Sequence, residues 1–112
     1  VMTFKASLLP STVAAFIAAI DPGRWAIQSH AGNGVVWGLA RSEIAIEQLV
    51  ADIPRFRELA IAAGGNLTLP RCPTKLKPEL GVWGTPRGDW ELVRSVQRAL
   101  DPAGVMNPGR FL

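Results

Sequence analysis

Cysteine and histidine are nearly missing from this sequence: Cys72 and His30 are the sole examples among 112 residues. A single cysteine excludes an internal disulfide and fits a reducing, cytoplasmic setting. No apolar run approaches the length of a membrane span, and no signal peptide is visible. Charge is also sparse, at 19% of residues with a formal net charge of +3. The basic residues are scattered apart from Arg71, Lys75 and Lys77. That trio reads as a solvated loop, since a nucleic-acid site shows a clustered basic face. What is present is apolar: 48% of residues are hydrophobic, enough for a packed core. The length suits one compact domain that buries roughly two-thirds of its unfolded surface. The chain opens with Val1 ahead of Met2 and runs straight into a strand pattern, so the expectation is an excised piece of a longer protein.

Hydrophobic periodicity divides the chain. Residues 2–9 alternate, with Phe4, Ala6 and Leu8 on one side and Thr3, Lys5 and Ser7 on the other, as in a half-buried strand. Pro10 ends it, and Ser11 or Thr12 can cap a helix whose stripe is Val13, Phe16, Ile17 and Ile20. Two short strands follow at 24–30 and 35–40, joined through Asn33-Gly34, the strongest short hairpin signal. Ser42 can cap a second helix carrying Ile46, Leu49, Val50, Ile53, Phe56 and Ala60. Pro54 should kink or break it, and Gly64-Gly65 should end it. Residues 66–69 make a fourth strand. The order βαββαβ predicts an α+β, ferredoxin-like antiparallel sheet with two helices on one face. Residues 70–88 read as a loop, and 89–100 as a third helix with Leu92, Val93, Val96 and Leu100 in its stripe. The expected division is 1–84 for the ferredoxin-like part and 85–112 for the C-terminal helix and tail.

Gly32-x-Gly34-x-x-x-Gly38 has the look of a dinucleotide loop but leads into a strand. A phosphate loop must lead into a helix N-terminus, so the segment fails that test. A two-residue turn at Asn33-Gly34 would set His30 opposite Trp37, with Cβ atoms about 4.5–5.5 Å apart. Such a pair is either a histidine stacked on a tryptophan or a histidine turned toward a substrate; the pairing does not choose. An RNA-recognition domain shares the βαββαβ order, but its third strand needs several stacking aromatics, and residues 35–39 offer only Trp37.

The tail RALDPAGVMNPGRF (98–111) resembles the closing motif of FAD-linked oxidases of the vanillyl-alcohol oxidase and glycolate oxidase superfamily. SHAGNGVVWG (29–38) resembles the hairpin of the same family. The resemblance implies a ferredoxin-like cap domain followed by a segment that returns to an N-terminal FAD-binding domain missing from this chain. It implies FAD in the full-length protein, none bound by this piece alone, and other glycolate oxidase-like subunits as partners. Nucleic acid and a membrane span are not expected.

Metal-bearing relatives place a second histidine where this chain has Trp37, and a Glu-His-Gly segment where it has Leu69-Pro70-Arg71-Cys72-Pro73. No metal site is therefore expected, and the pattern is most similar to the E-type subunits of glycolate oxidases. The resemblance makes His30, Asn33 and Trp37 candidates to face substrate or flavin, and Asn107 and Arg110 candidates to dock on the FAD-binding domain. The implied function is a covering part of a 2-hydroxy-acid oxidoreductase, inactive alone. The alternative is a non-catalytic interface domain that supports a catalytic partner.

Overall fold

The computed structural model describes residues 2–110. Strand β1 is Thr3–Ser7, helix α1 Val13–Ala18, β2 Trp25–His30, β3 Val35–Ala40, α2 Ile46–Ala62 and β4 Asn66–Arg71. Helices α3, Lys77–Leu80, and α4, Trp90–Leu100, follow. The sheet order is β2-β3-β1-β4, and every neighbouring pair is antiparallel. This is the ferredoxin-like arrangement that the hydrophobic pattern predicts.

Strand alternation puts one sheet face into the core. Phe4 and Ala6 of β1, Trp25 of β2, Val36 of β3 and Leu67 and Leu69 of β4 are buried there. Val13 and Phe16 of α1 and Leu49, Ile53, Phe56 and Ala60 of α2 close over the same face. The rings of Phe4, Trp25 and Phe56 meet at centroid distances of 5.1 to 5.8 Å, tilted rather than stacked flat. Such geometry suits the ring quadrupoles. Gly38 is the residue that lets Phe4 in: a Cβ there would stand 2.1 Å from Phe4 Cε1.

One carboxylate lies inside. Asp52 is buried on the core side of α2. Its Oδ2 accepts from Trp25 Nε1 at 2.9 Å, and its Oδ1 accepts from Arg24 Nη1 at 3.2 Å. The buried indole N–H thus finds the partner it needs.

Several local expectations are corrected. Neither Ser11 nor Thr12 caps α1; Pro10–Thr12 forms a 3-10 turn and Thr12 Oγ1 donates to Leu9 O. The residue before α2 is Ala45, not Ser42, and no side chain caps it. Pro54 does not break α2, which runs on to Ala62. Leu49 and Ile53 before the proline and Phe56 and Ala60 after it are all buried, and their packing outweighs the lost hydrogen bond and ring crowding of an interior proline, together about 3 kcal/mol. The stretch after β4 is not all loop, since it holds a 3-10 turn at Thr74–Leu76 and α3. Arg57 ties this stretch down by donating to Leu80 O and Gly81 O.

Helix α4 has no buried residue. The radius of gyration, 15.3 Å, exceeds the roughly 13 Å of a compact chain of this length. Among the described residues no helix is long and apolar enough to cross a membrane.

Candidate functional site

The helices cover one face of the sheet and leave the other open. Residues of the opposite strand parity lie there: Lys5 of β1, Gln28 and His30 of β2, Trp37 and Leu39 of β3, and Thr68 of β4. Leu39 is 47% exposed on this side of β3, and Trp37 is half-buried there.

The hairpin joins as expected, but its register differs. His30 lies opposite Val35, and Gln28 opposite Trp37. The loop is four residues, a 3-10 turn at Ala31–Asn33 closed by Gly34 in the left-handed region at φ 69°. Asn33 keeps an ordinary φ, so the type I′ turn does not form. The cause is tertiary: Gly34 O accepts from Leu8 N at 2.7 Å, and a Cβ on Gly34 would stand 1.9 Å from Leu8 O. The turn is seated on the connection after β1 and takes the wider form that reaches it. The slip is two residues, and an even slip preserves the face. His30 and Trp37 therefore still share the open face, while Trp37 has Lys5 as its cross-strand neighbour on β1. The Lys5 ammonium sits 5.7 Å from the Trp37 ring centroid, a cation–π contact.

Asn33 is at the hairpin tip, exposed, beside the sheet rather than on its face. Asn107 and Arg110 belong to the tail. Asn107 has φ 48°, a left-handed conformation that asparagine tolerates better than most side chains. Its carbonyl accepts from Arg110 N at 3.2 Å. Asp101 organises the preceding turn, accepting from Val105 N at 3.1 Å and Met106 N at 2.8 Å. The Arg110 carbonyl accepts from Trp83 Nε1 at 3.2 Å, which brings the tail back beside the connection after α3. Phe111, the last residue of the tail motif, lies outside the described residues.

Two grooves border this region. One, of about 510 Å³, is lined by Lys5, Ser7, Asn66, Thr68, Trp83 and Arg87 among others. The other, of about 260 Å³, includes Lys77, Trp83 and Arg110. Neither is lined by His30, Asn33 or Trp37. The structure thus brings His30 and Trp37 to one face, but it does not bring them together with the tail residues. Among the described residues no three of His, Cys, Asp and Glu cluster as metal ligands. Burial raises the Cys72 thiol above the ordinary thiol range, with Lys77 opposing the shift. Burial lowers Arg57.

Sequence reasoning missed Lys5, Asp52, Arg57, Trp83 and Arg87. Asp52 carries a readable signal, a carboxylate beside Ile53 in the apolar stripe of a helix. The others meet through long-range folding and show no local pattern.

A search of the curated proteins found no match, and a search of the solved structures found none. A family model does match, and the sheet lies before the matched segment, which begins at α3. Over residues 77–111 the chain is similar to the family described as FAD linked oxidases, C-terminal domain.

Proposed function

We propose that this chain is the covering part of an FAD-dependent 2-hydroxy-acid oxidoreductase, similar to the glycolate oxidases. In this reading residues 1–84 form a cap over the flavin and substrate pocket. Residues 85–112 return to an FAD-binding domain outside this chain. The observation that carries it is α4. Leu92 is 67% exposed and Leu100 77%, on a helix with no fully buried residue among those described, inside the segment that matches the oxidase family. An exposed apolar stripe marks an interaction surface, and the family match supports reading a flavin domain as its partner.

The chain's own residues fit one side of a flavin site only. Gly34 is committed to the turn against Leu8, and the strand after it is not a helix N-terminus. The pyrophosphate would therefore be held elsewhere. The open sheet face could lie along the flavin ring, with Trp37 excluding water. His30 would offer a hydrogen bond to a substrate carboxylate or to the ring, and Asn33 would project from the tip. Gly32 supports the approach of another body to this hairpin. Its φ is not left-handed and, among the described residues beyond its chain neighbours, no atom lies within 4 Å of where a Cβ would stand, so these residues do not require glycine there. Asn107 would hold the tail turn, and the Arg110 side chain would pair with a carboxylate of the flavin domain. Bound FAD would supply the hydride acceptor; the chain supplies walls, orientation and dryness.

The test is to purify the complete gene product from its native source and record its visible spectrum before and after anaerobic glycolate. Flavin absorbance that bleaches supports the reading. Flavin that assembles but does not bleach moves the protein to the non-catalytic interface alternative. A complete gene product that carries no flavin overturns both.

A further inference from the structure

We propose that the groove between β1, β4 and the connection after α3 is a binding site for a small carboxylate, held by Lys5 and Arg87 with its apolar body against Trp83. The groove, about 510 Å³, has room for such a molecule, and among the described residues no carboxylate side chain lines it. Its two cations are available. Lys5 makes no ion pair with a carboxylate among the described residues; it rests over Trp37 at 5.7 Å. Arg87 meets Asp89 through Nε at 3.6 Å, with both side chains more than half exposed. An exposed pair of that kind is weak and exchangeable. Ser7 and Thr68 add hydroxyls, while Leu8, Leu9 and Trp83 give an apolar wall. Asn66 spends its amide N–H on Trp83 O at 3.4 Å, and its buried, unpartnered Oδ1 offers an anion nothing.

The backbone decides which anion. Phosphate sites are usually built from several free backbone N–H groups at a glycine-rich turn or a helix N-terminus. Here those donors are spent. Gly64 N donates to Ile61 O, Gly65 N to Ala60 O, Leu8 N to Gly34 O and Leu9 N to Ala63 O. What remains for an anion is side-chain charge, one cation held on an aromatic ring and one shared with Asp89. That matches a monoanion with a flat or apolar body better than a dianion. Three of these bonds end on the Ala60, Ile61 and Ala63 carbonyls at the end of α2, which offsets part of the negative helix end that faces the groove.

The groove borders the sheet face that the oxidase reading turns toward the flavin but is not lined by His30 or Trp37, so it is a second carboxylate site, and binding there does not rest on that reading. The experiment is NMR titration of the ¹⁵N-labelled chain with benzoate, benzamide and inorganic phosphate. Benzoate should give saturable shifts at Lys5, Asn66, Thr68 and the Trp83 indole, and benzamide should not. Lys5→Gln and Arg87→Gln should each weaken benzoate about tenfold, as expected for a lost hydrogen bond to a charge at an open site. Arg94→Gln, on α4 and away from the groove, should change nothing. Lys5 and Arg87 are not core residues, so unchanged thermal melts would certify the folds of both variants. Shifts that do not saturate, equal weakening by Arg94→Gln, or tighter binding of phosphate at the same residues would overturn the proposal. Failure here with flavin assembly intact sinks this site alone; benzoate binding without flavin in the complete protein sinks the oxidase reading alone.

Discussion

Replacing Asp52 by alanine tests the least expected feature of the core. The substitution removes the acceptor of Trp25 Nε1, a bond of 2.9 Å. Trp25 is 1% exposed, so water cannot replace that acceptor. A buried donor left unpaired costs about 1–3 kcal/mol. The contacts of Asp52 with Arg24 at 3.2 Å and Arg55 at 3.9 Å involve arginines 35% and 52% exposed, so solvent screens them. They add under about 1 kcal/mol. Alanine recovers up to about 0.7 kcal/mol of helix propensity. The net loss is about 0.3–4 kcal/mol, which lowers Tm by roughly 1–17 °C for a chain of this size.

Asp52→Asn keeps an acceptor for the indole and should cost under about 1 kcal/mol. The decisive measurement is a double-mutant cycle with Trp25→Phe by urea denaturation. If the indole bond is the cause, Asp52→Ala should lose most of its effect once the N–H is gone. Additivity of the two substitutions to within about 0.5 kcal/mol would refute the reasoning.

Gly38→Ala should destabilise by about 1–3 kcal/mol, because the new methyl meets the fully buried Phe4 ring and the core is overpacked. Gly32→Ala, with open space at that position, is the matched control; equal urea midpoints for the two would sink the explanation. Arg57→Ala strips the donors from Leu80 O and Gly81 O and should cost about 1–3 kcal/mol. Amide exchange should quicken at 80–82 while β2 and β3 keep their protection; uniform loss of protection would point to global unfolding instead. Cys72 should react slowly with a thiol reagent, with a pH–rate midpoint above that of a free thiol, since burial favours the protonated form. By linkage the folded chain holds the Cys72 proton more tightly than the unfolded chain. That contribution is present below the unfolded thiol pKa and is lost as pH rises through the folded one. A midpoint at or below the ordinary thiol range would contradict the burial.

The fold was legible because its signals are local and repeated. Alternation in β1, the stripe on α2 and the glycines after it each depend on near neighbours in sequence. The shared face of His30 and Trp37 was legible too, since any even slip of the hairpin register leaves the two on one side. By itself the sequence determined the order of elements, the core-facing residues of each strand and the amphipathic character of α4. Tertiary structure alone decided the hairpin register, because Gly34 answers to Leu8, a residue from another strand's end. It also decided that α2 survives Pro54, through burial on both sides of the proline. And it alone brought Lys5 and Arg87 to one groove and joined Trp25 to Asp52, pairs far apart in the chain that no periodicity relates. Local periodicity reads which way a side chain points; what it meets there is set by chain closure over long distances.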